Sequence, residues 1–191
     1  MIKKIGYLAI AISILLLTIV YFVTDKKLFY YGKNDLSIYH ALPLGIQPEF
    51  RHDFDGGFVL WDKYGFALSG NMVSVGEIGD SIFQYHIIKG IIKYGYDKNN
   101  LVTLIKDTAG NYCYIEYFEN TEEKSKNYIS MKVKGIDEKI DFKVNRWIDV
   151  KNIKNDKKLN NIVLIRNFSL LCIVALIFTL TGLFMAFKIK N

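Results

Sequence analysis

Residues 91–118 read IIKYGYDKNNLVTLIKDTAGNYCYIEYF, and this stretch decides the fold. Three runs rich in aromatic and β-branched residues, Ile91–Tyr96, Leu101–Lys106 and Tyr112–Phe118, alternate with Asp97-Lys98-Asn99-Asn100 and Asp107-Thr108-Ala109-Gly110-Asn111. Such runs favour strands, and Asp, Asn and Gly between them favour tight turns. The stretch therefore predicts an antiparallel meander. Along its third run, Tyr112, Tyr114 and Glu116 fall on one face, and Cys113, Ile115 and Tyr117 on the other. Neither face is cleanly polar. A sandwich with aromatic residues on both sides, or a surface made for a partner, would account for that.

The same pattern extends outward. Gly57–Trp61, Tyr64–Ser69, Met72–Val75, Ile82–Lys89 and Tyr128–Lys134 read as further strands, with turns at Asp62-Lys63 and Ser69-Gly70-Asn71. Trp61-Asp62-Lys63 and Tyr96-Asp97-Lys98 echo each other, which fits a common strand-to-turn phrase more simply than a repeat. Residues 136–149 are ambiguous. Ile136, Ile140, Val144 and Trp147/Ile148 have helical spacing, whereas Ile140, Phe142 and Val144 alternate like a strand. The helical reading is adopted.

Beyond the module the composition changes. Residues 5–23 and 167–187 contain no charged residue and are long enough for helices of about 28 and 31 Å, a bilayer's hydrocarbon thickness. The expected order is a tail at 1–4, a transmembrane helix at 5–23, a β-rich module at 24–150, a Lys/Asn-rich tether at 151–162, a second transmembrane helix at 163–187 and a tail at 188–191. The fold class is mainly β, an antiparallel meander or sandwich with one short helix, between two transmembrane α-helices. Ala9/Ser13 and Gly182/Ala186 are small pairs at the spacing that lets membrane helices approach.

Net charge is +6 over 191 residues, but the excess is not in the module. Residues 34–150 hold 13 basic and 17 acidic side chains. The basic surplus lies beside the spans, where lysines snorkel to headgroups. The module lacks the basic stripe that phosphate neutralisation requires, so nucleic acid is excluded as a partner. The bias to 26 Ile and 22 Lys against 3 Arg suits an AT-rich bacterial genome.

Lys3-Lys4 followed by an apolar run is built like an export signal. Val20-Tyr21-Phe22-Val23-Thr24-Asp25 offers no small-residue cleavage site, so the first helix is read as an uncleaved anchor. Seven lysines flanking the module (Lys26, Lys27, Lys33, Lys151, Lys154, Lys157, Lys158) favour a cytoplasmic module by a literal positive-inside count. Long loops escape that rule, and the first helix usually dominates. The expectation is a two-pass protein of the bacterial cytoplasmic membrane, with both termini inside and the module outside.

No chemistry-bearing motif is complete. His52, Asp53 and Asp55 begin like a calcium loop, but the twelfth position is Tyr64, not Glu. His40 and His86 have no zinc-ligand spacing, and no nucleophile elbow or P-loop is present. Gly76-Glu77-Ile78-Gly79-Asp80 reads as a turn. Cys113 reads as a structural thiol, and Cys172 falls in the second span. No catalytic, cofactor-binding or metal-ligating residue is assigned, and no cofactor is expected.

Three segments carry a resemblance. They are Asp55-Gly56-Gly57-Phe58-Val59-Leu60-Trp61, Gly90 to Val102 and Tyr112-Cys113-Tyr114-Ile115. Over roughly residues 55–118 the chain resembles small β-rich bacterial envelope proteins of uncharacterised function, often lipid-anchored. The resemblance implies an extracytoplasmic module and no particular activity. The chain departs from it in having two helical spans in place of a lipidated cysteine. The expectation is thus a non-enzymatic binding protein at the cell envelope, with the lipid bilayer and a protein as partners. The alternatives are an immunity or inhibitor protein against a toxin acting at the membrane, and an envelope hydrolase using His52, Asp53 and His86.

Overall fold

A computed structural model describes residues 2–36, 40–51, 57–70, 74–76, 85–119 and 129–189. The chain divides into two units: residues 1–28 with 156–191, and residues 29–155.

The first unit holds the helices α1 (Ile2–Phe29) and α2 (Lys157–Ile189). Both are long and apolar enough to cross a membrane, which suits a two-pass membrane protein. Neither has a polar face, and side chains along them stay exposed, Leu15 and Leu16 on α1 and Phe168, Phe178 and Phe184 on α2 among them. Apolar surface all round a helix, uncovered by protein, is the mark of a lipid-facing segment. Both helices outrun their apolar spans. The expected tether at 151–162 is one turn of 3-10 helix (Ile153–Asn155) followed by the start of α2, with Asp156 Oδ1 accepting the backbone N–H of Lys158 and Leu159. That is an N-cap. At Gly182 an added Cβ would meet nothing within 4 Å among the described residues of the chain.

The second unit is a two-sheet sandwich. Strands β1 (Gln47–Phe50), β2 (Phe58–Trp61) and β3 (Ala67–Ser69) form a three-stranded antiparallel sheet. Strands β4 (Ser74–Gly76), β5 (Tyr85–Tyr96), β6 (Leu101–Asp107), β7 (Tyr112–Glu119) and β8 (Ile129–Gly135) follow one another in the larger sheet. Strand β9 (Arg146–Asp149) joins it by pairing with β5 on the edge opposite β6. The meander expected over 91–118 is present.

The turns work as their chemistry predicts. Asp62 Oδ1 accepts N–H groups of Tyr64 and Phe66, and Asp97 Oδ1 those of Asn99 and Asn100. The aromatic-Asp-Lys echo is therefore two Asp-capped turns.

Several expectations need correction. The helix over 136–149 does not form. Residues 136–145 are irregular and β9 follows. The described part of the run Ile82–Lys89, from Tyr85, and the run Ile91–Tyr96 form one strand, with register shifts at Ile88/Gly90 and Ile91/Lys93; residues 82–84 lie outside the described residues. Gly90, between the two runs, sits at a bulge within that strand. Strand β3 starts at Ala67 because Tyr64–Phe66 belong to the Asp62 turn.

The core lies between the sheets. Rows Tyr117–Leu101–Tyr96–Arg146 and Ile115–Thr103–Tyr94–Ile148 cross the inner face of the larger sheet. Tyr94 stacks on Phe58 of the smaller sheet with ring centroids 5.7 Å apart. The Tyr94 hydroxyl donates to Tyr30 O at 2.7 Å, and the Tyr117 hydroxyl to Leu68 O at 3.4 Å. Burial pushes the Tyr117 phenol up to about 12, against the nearby Ser69 and Thr103 hydroxyls. Cys113 is buried, in agreement with a structural thiol.

Candidate binding face

The outer face of the larger sheet carries the mixed character seen in β7. Its register pairs place Tyr112 beside Lys106 and Tyr114 beside Leu104. Lys132, Glu116, Val102, Gly95 and Trp147 stand in one row across five strands. Tyr112 is 43% and Trp147 37% exposed, and Tyr114 is half-buried. Lys106 Nζ lies 5.4 Å from the Tyr112 ring and Lys93 Nζ 4.3 Å from the Trp147 ring, while Tyr114 and Trp147 are 6.3 Å apart. Aromatic rings in cation contact form a continuous amphipathic patch of the composition enriched at protein interfaces.

A strap, residues 136–145, runs over part of this face. It leaves β8 and must pass β7, β6 and β5 to reach β9. Ile140, Phe142 and Val144 alternate downward and are half-buried. The strap is pinned by an ion cluster whose centre is buried. Lys134 Nζ lies 3.2 Å from Glu116 Oε2, touches Asp141 Oδ1 and donates to Lys139 O at 2.8 Å. Asp141 N–H donates to Glu116 Oε1 at 2.6 Å, and Lys132 Nζ reaches Asp141 Oδ2 at 3.0 Å. Glu116 and Lys134 are each 4% exposed at the side chain, so each answers the other's burial cost. Hydrogen bonds from Lys134 and then Lys132 hold the Asp141 carboxyl down at about 2. Desolvation works to lower the Lys134 ammonium, but Asp141 and Glu116 overcome it and raise it.

Gly95 gives the strap its seat. A Cβ there would stand 2.5 Å from Val144 Cγ1 and 2.9 Å from Trp147 Cε3. Only a residue without a side chain lets the Trp147 ring and Val144 settle on β5.

A cleft of about 550 Å³ lies elsewhere on the β unit, lined by Leu44, Lys63, Lys98, Asn100, Phe118 and Ile129 among others. Leu44 there has φ 65°, a left-handed conformation unfavourable for a branched side chain.

The sequence candidates fare differently. His52, Asp53 and Asp55 lie outside the described residues, as does most of Gly76–Asp80. His86 falls within β5. His40 rests against the Phe29 ring, with centroids 5.4 Å apart. Among the described residues, no three His, Cys, Asp or Glu side chains group as metal ligands. The tyrosines stand out in the sequence, whereas Trp147 is legible there only at helical spacing. The strand signal at that point is Trp147-Ile148, an aromatic and a β-branched residue side by side. Comparisons of the chain with protein-family models, with curated proteins and with solved structures give no match.

Proposed function

We propose that the chain is a membrane-anchored, non-enzymatic binding protein. Its two helices hold the β unit at a bacterial cytoplasmic membrane, on the extracytoplasmic side, and the outer face of the larger sheet meets a protein partner. The observation that carries this reading is the patch of exposed Tyr112 and Trp147 and half-buried Tyr114, with Lys106 against the Tyr112 ring and Lys93 against the Trp147 ring. Tyrosine and tryptophan offer large contact area at little entropic cost, and neighbouring cations add direction. The Lys3-Lys4 start supports the outward placement.

A photo-crosslinking residue placed at Tyr112 or at Trp147 in cells tests the reading. A discrete adduct of the same mass from both positions, absent from Asn99, is the expected outcome. Adducts no different from those at Asn99 would sink it. An immunity role is the same reading with a toxin as partner, and the mass of the adduct would identify it.

A further inference from the structure

We propose that the β unit has its own headgroup site for an anionic phospholipid, in the pocket walled by Phe50, Phe58, Val150 and Ile153 beside Lys151 and Lys154. The pocket measures about 150 Å³. A cavity of that size takes a group no larger than about a benzene ring, so it suits a phosphate with part of its glycerol and excludes an acyl chain.

Its charge runs against the rest of the module. Residues 34–150 are net acidic, yet among the described residues the formal charges lining this pocket are Lys151 and Lys154, both exposed. A third cation closes on the same walls. Lys33 Nζ donates to Ile153 O at 3.3 Å and lies 4.8 Å from the Phe50 ring. Of the described acidic residues closest in sequence to the pocket walls, Glu49 pairs with Arg51 at 3.4 Å, Asp149 Oδ1 accepts the Lys151 backbone N–H at 3.0 Å, and Asp156 Oδ1 accepts those of Lys158 and Leu159. Cations beside apolar walls match an ester-linked phosphate, whose charge meets the ammonium groups and whose glycerol carbons meet the aromatic rings.

Chain length argues for a membrane lipid as the source. Lys33 follows the last residue of α1 by four positions, and Lys154 precedes the first of α2 by three. The helices run on past the apolar spans, by about 6 Å from Asp25 to Phe29 and about 14 Å from Arg166 to Lys157, so at about 3.5 Å per further residue the chain lets Lys33 and Lys154 stand up to about 20 and 24 Å from the hydrocarbon. Within that reach lies the headgroup layer, which offers phosphates at a concentration that free solutes do not reach.

Full-length protein, analysed by native mass spectrometry with phosphatidylglycerol or phosphatidylcholine, provides the test. The wild type should retain one phosphatidylglycerol under conditions that strip phosphatidylcholine. Lys151→Gln with Lys154→Gln should lower that occupancy at least fivefold, and the helix control, Lys157→Gln with Lys158→Gln, should leave it unchanged. Both pairs are exposed, and unchanged circular dichroism verifies folding. Equal retention of the two lipids, equal loss in the helix control, or no loss in the pocket variant would overturn the proposal. Displacement of the lipid by equimolar inorganic phosphate would also overturn it, by assigning a free-phosphate site.

Discussion

Arg166 Nη1 donates to Asp25 Oδ1 at 3.0 Å, tying α1 to α2 through two side chains that are 7% and 2% exposed. Each is the charged residue that closes an apolar span. Residues 5–24 precede Asp25 and residues 167–187 follow Arg166 without a charge. Both stretches are about 30 Å long as helix, so the pair sits where each helix leaves the hydrocarbon. Asn167 Oδ1 accepts from Arg166 Nε and Nη2, each at 3.2 Å, which fixes the guanidinium further.

Breaking such a buried pair from one side leaves a charge stranded, at a cost of about 3–5 kcal/mol. Arg166→Leu should therefore sharply lower the thermal stability of the detergent-solubilised protein. Asp25→Leu together with Arg166→Leu should recover most of that loss, because no charge is left behind. A double variant as unstable as the single one would show that the pair is not what joins the helices.

The strap should detach in acid. Asp141 has its carboxyl held down at about 2, below its ordinary value near 3.8, by Lys134 and Lys132. A depressed carboxyl stabilises the fold above its unfolded pKa, and that contribution disappears as pH falls through the folded value. Protection of the Asp141 amide against hydrogen exchange should thus decline between about pH 4 and pH 2. Asp141→Asn should remove this step. A step that persists unchanged in the variant would assign it to another group.

Gly95 should tolerate no side chain. In Gly95→Val the new methyl groups fall on Val144 and the Trp147 ring, both within 3.0 Å of an added Cβ. Overpacking of this kind costs about 1–3 kcal/mol. Trp147 fluorescence should shift as the ring leaves β5. Unchanged emission together with unchanged stability would contradict the seat described for the strap.

What the sequence disclosed, and what it hid, follows from how local each signal is. The meander over 91–118 is written in short-range alternation and Asp-capped turns, so it reads directly. Strand β1 escaped notice because Pro48 argues against a strand, yet an edge position tolerates it. Residues 136–149 misled because Ile136, Ile140, Val144 and Ile148 meet helical spacing by coincidence. What prevents a helix there is tertiary: Glu116 and Lys134 hold Asp141, and Gly95 receives Val144. The tyrosine alternation in β7 made half of the binding face visible. Trp147 enters it only through β9 pairing with β5, a contact across some fifty residues. The Asp25–Arg166 pair is equally non-local, although a lone acid and a lone arginine at the ends of two apolar spans were its trace.

Tyr112 offers the most direct test of a β unit displayed outward by two membrane helices. A Tyr112→Cys variant, with Cys113 and Cys172 replaced by Ser or Ala, can be treated with a membrane-impermeant maleimide on intact spheroplasts. The exposed position on the outer face should label fully before lysis, whereas Ile115→Cys on the buried face should label only after unfolding. Labelling of Tyr112→Cys only after the membrane is opened would place the β unit on the cytoplasmic side and contradict the account.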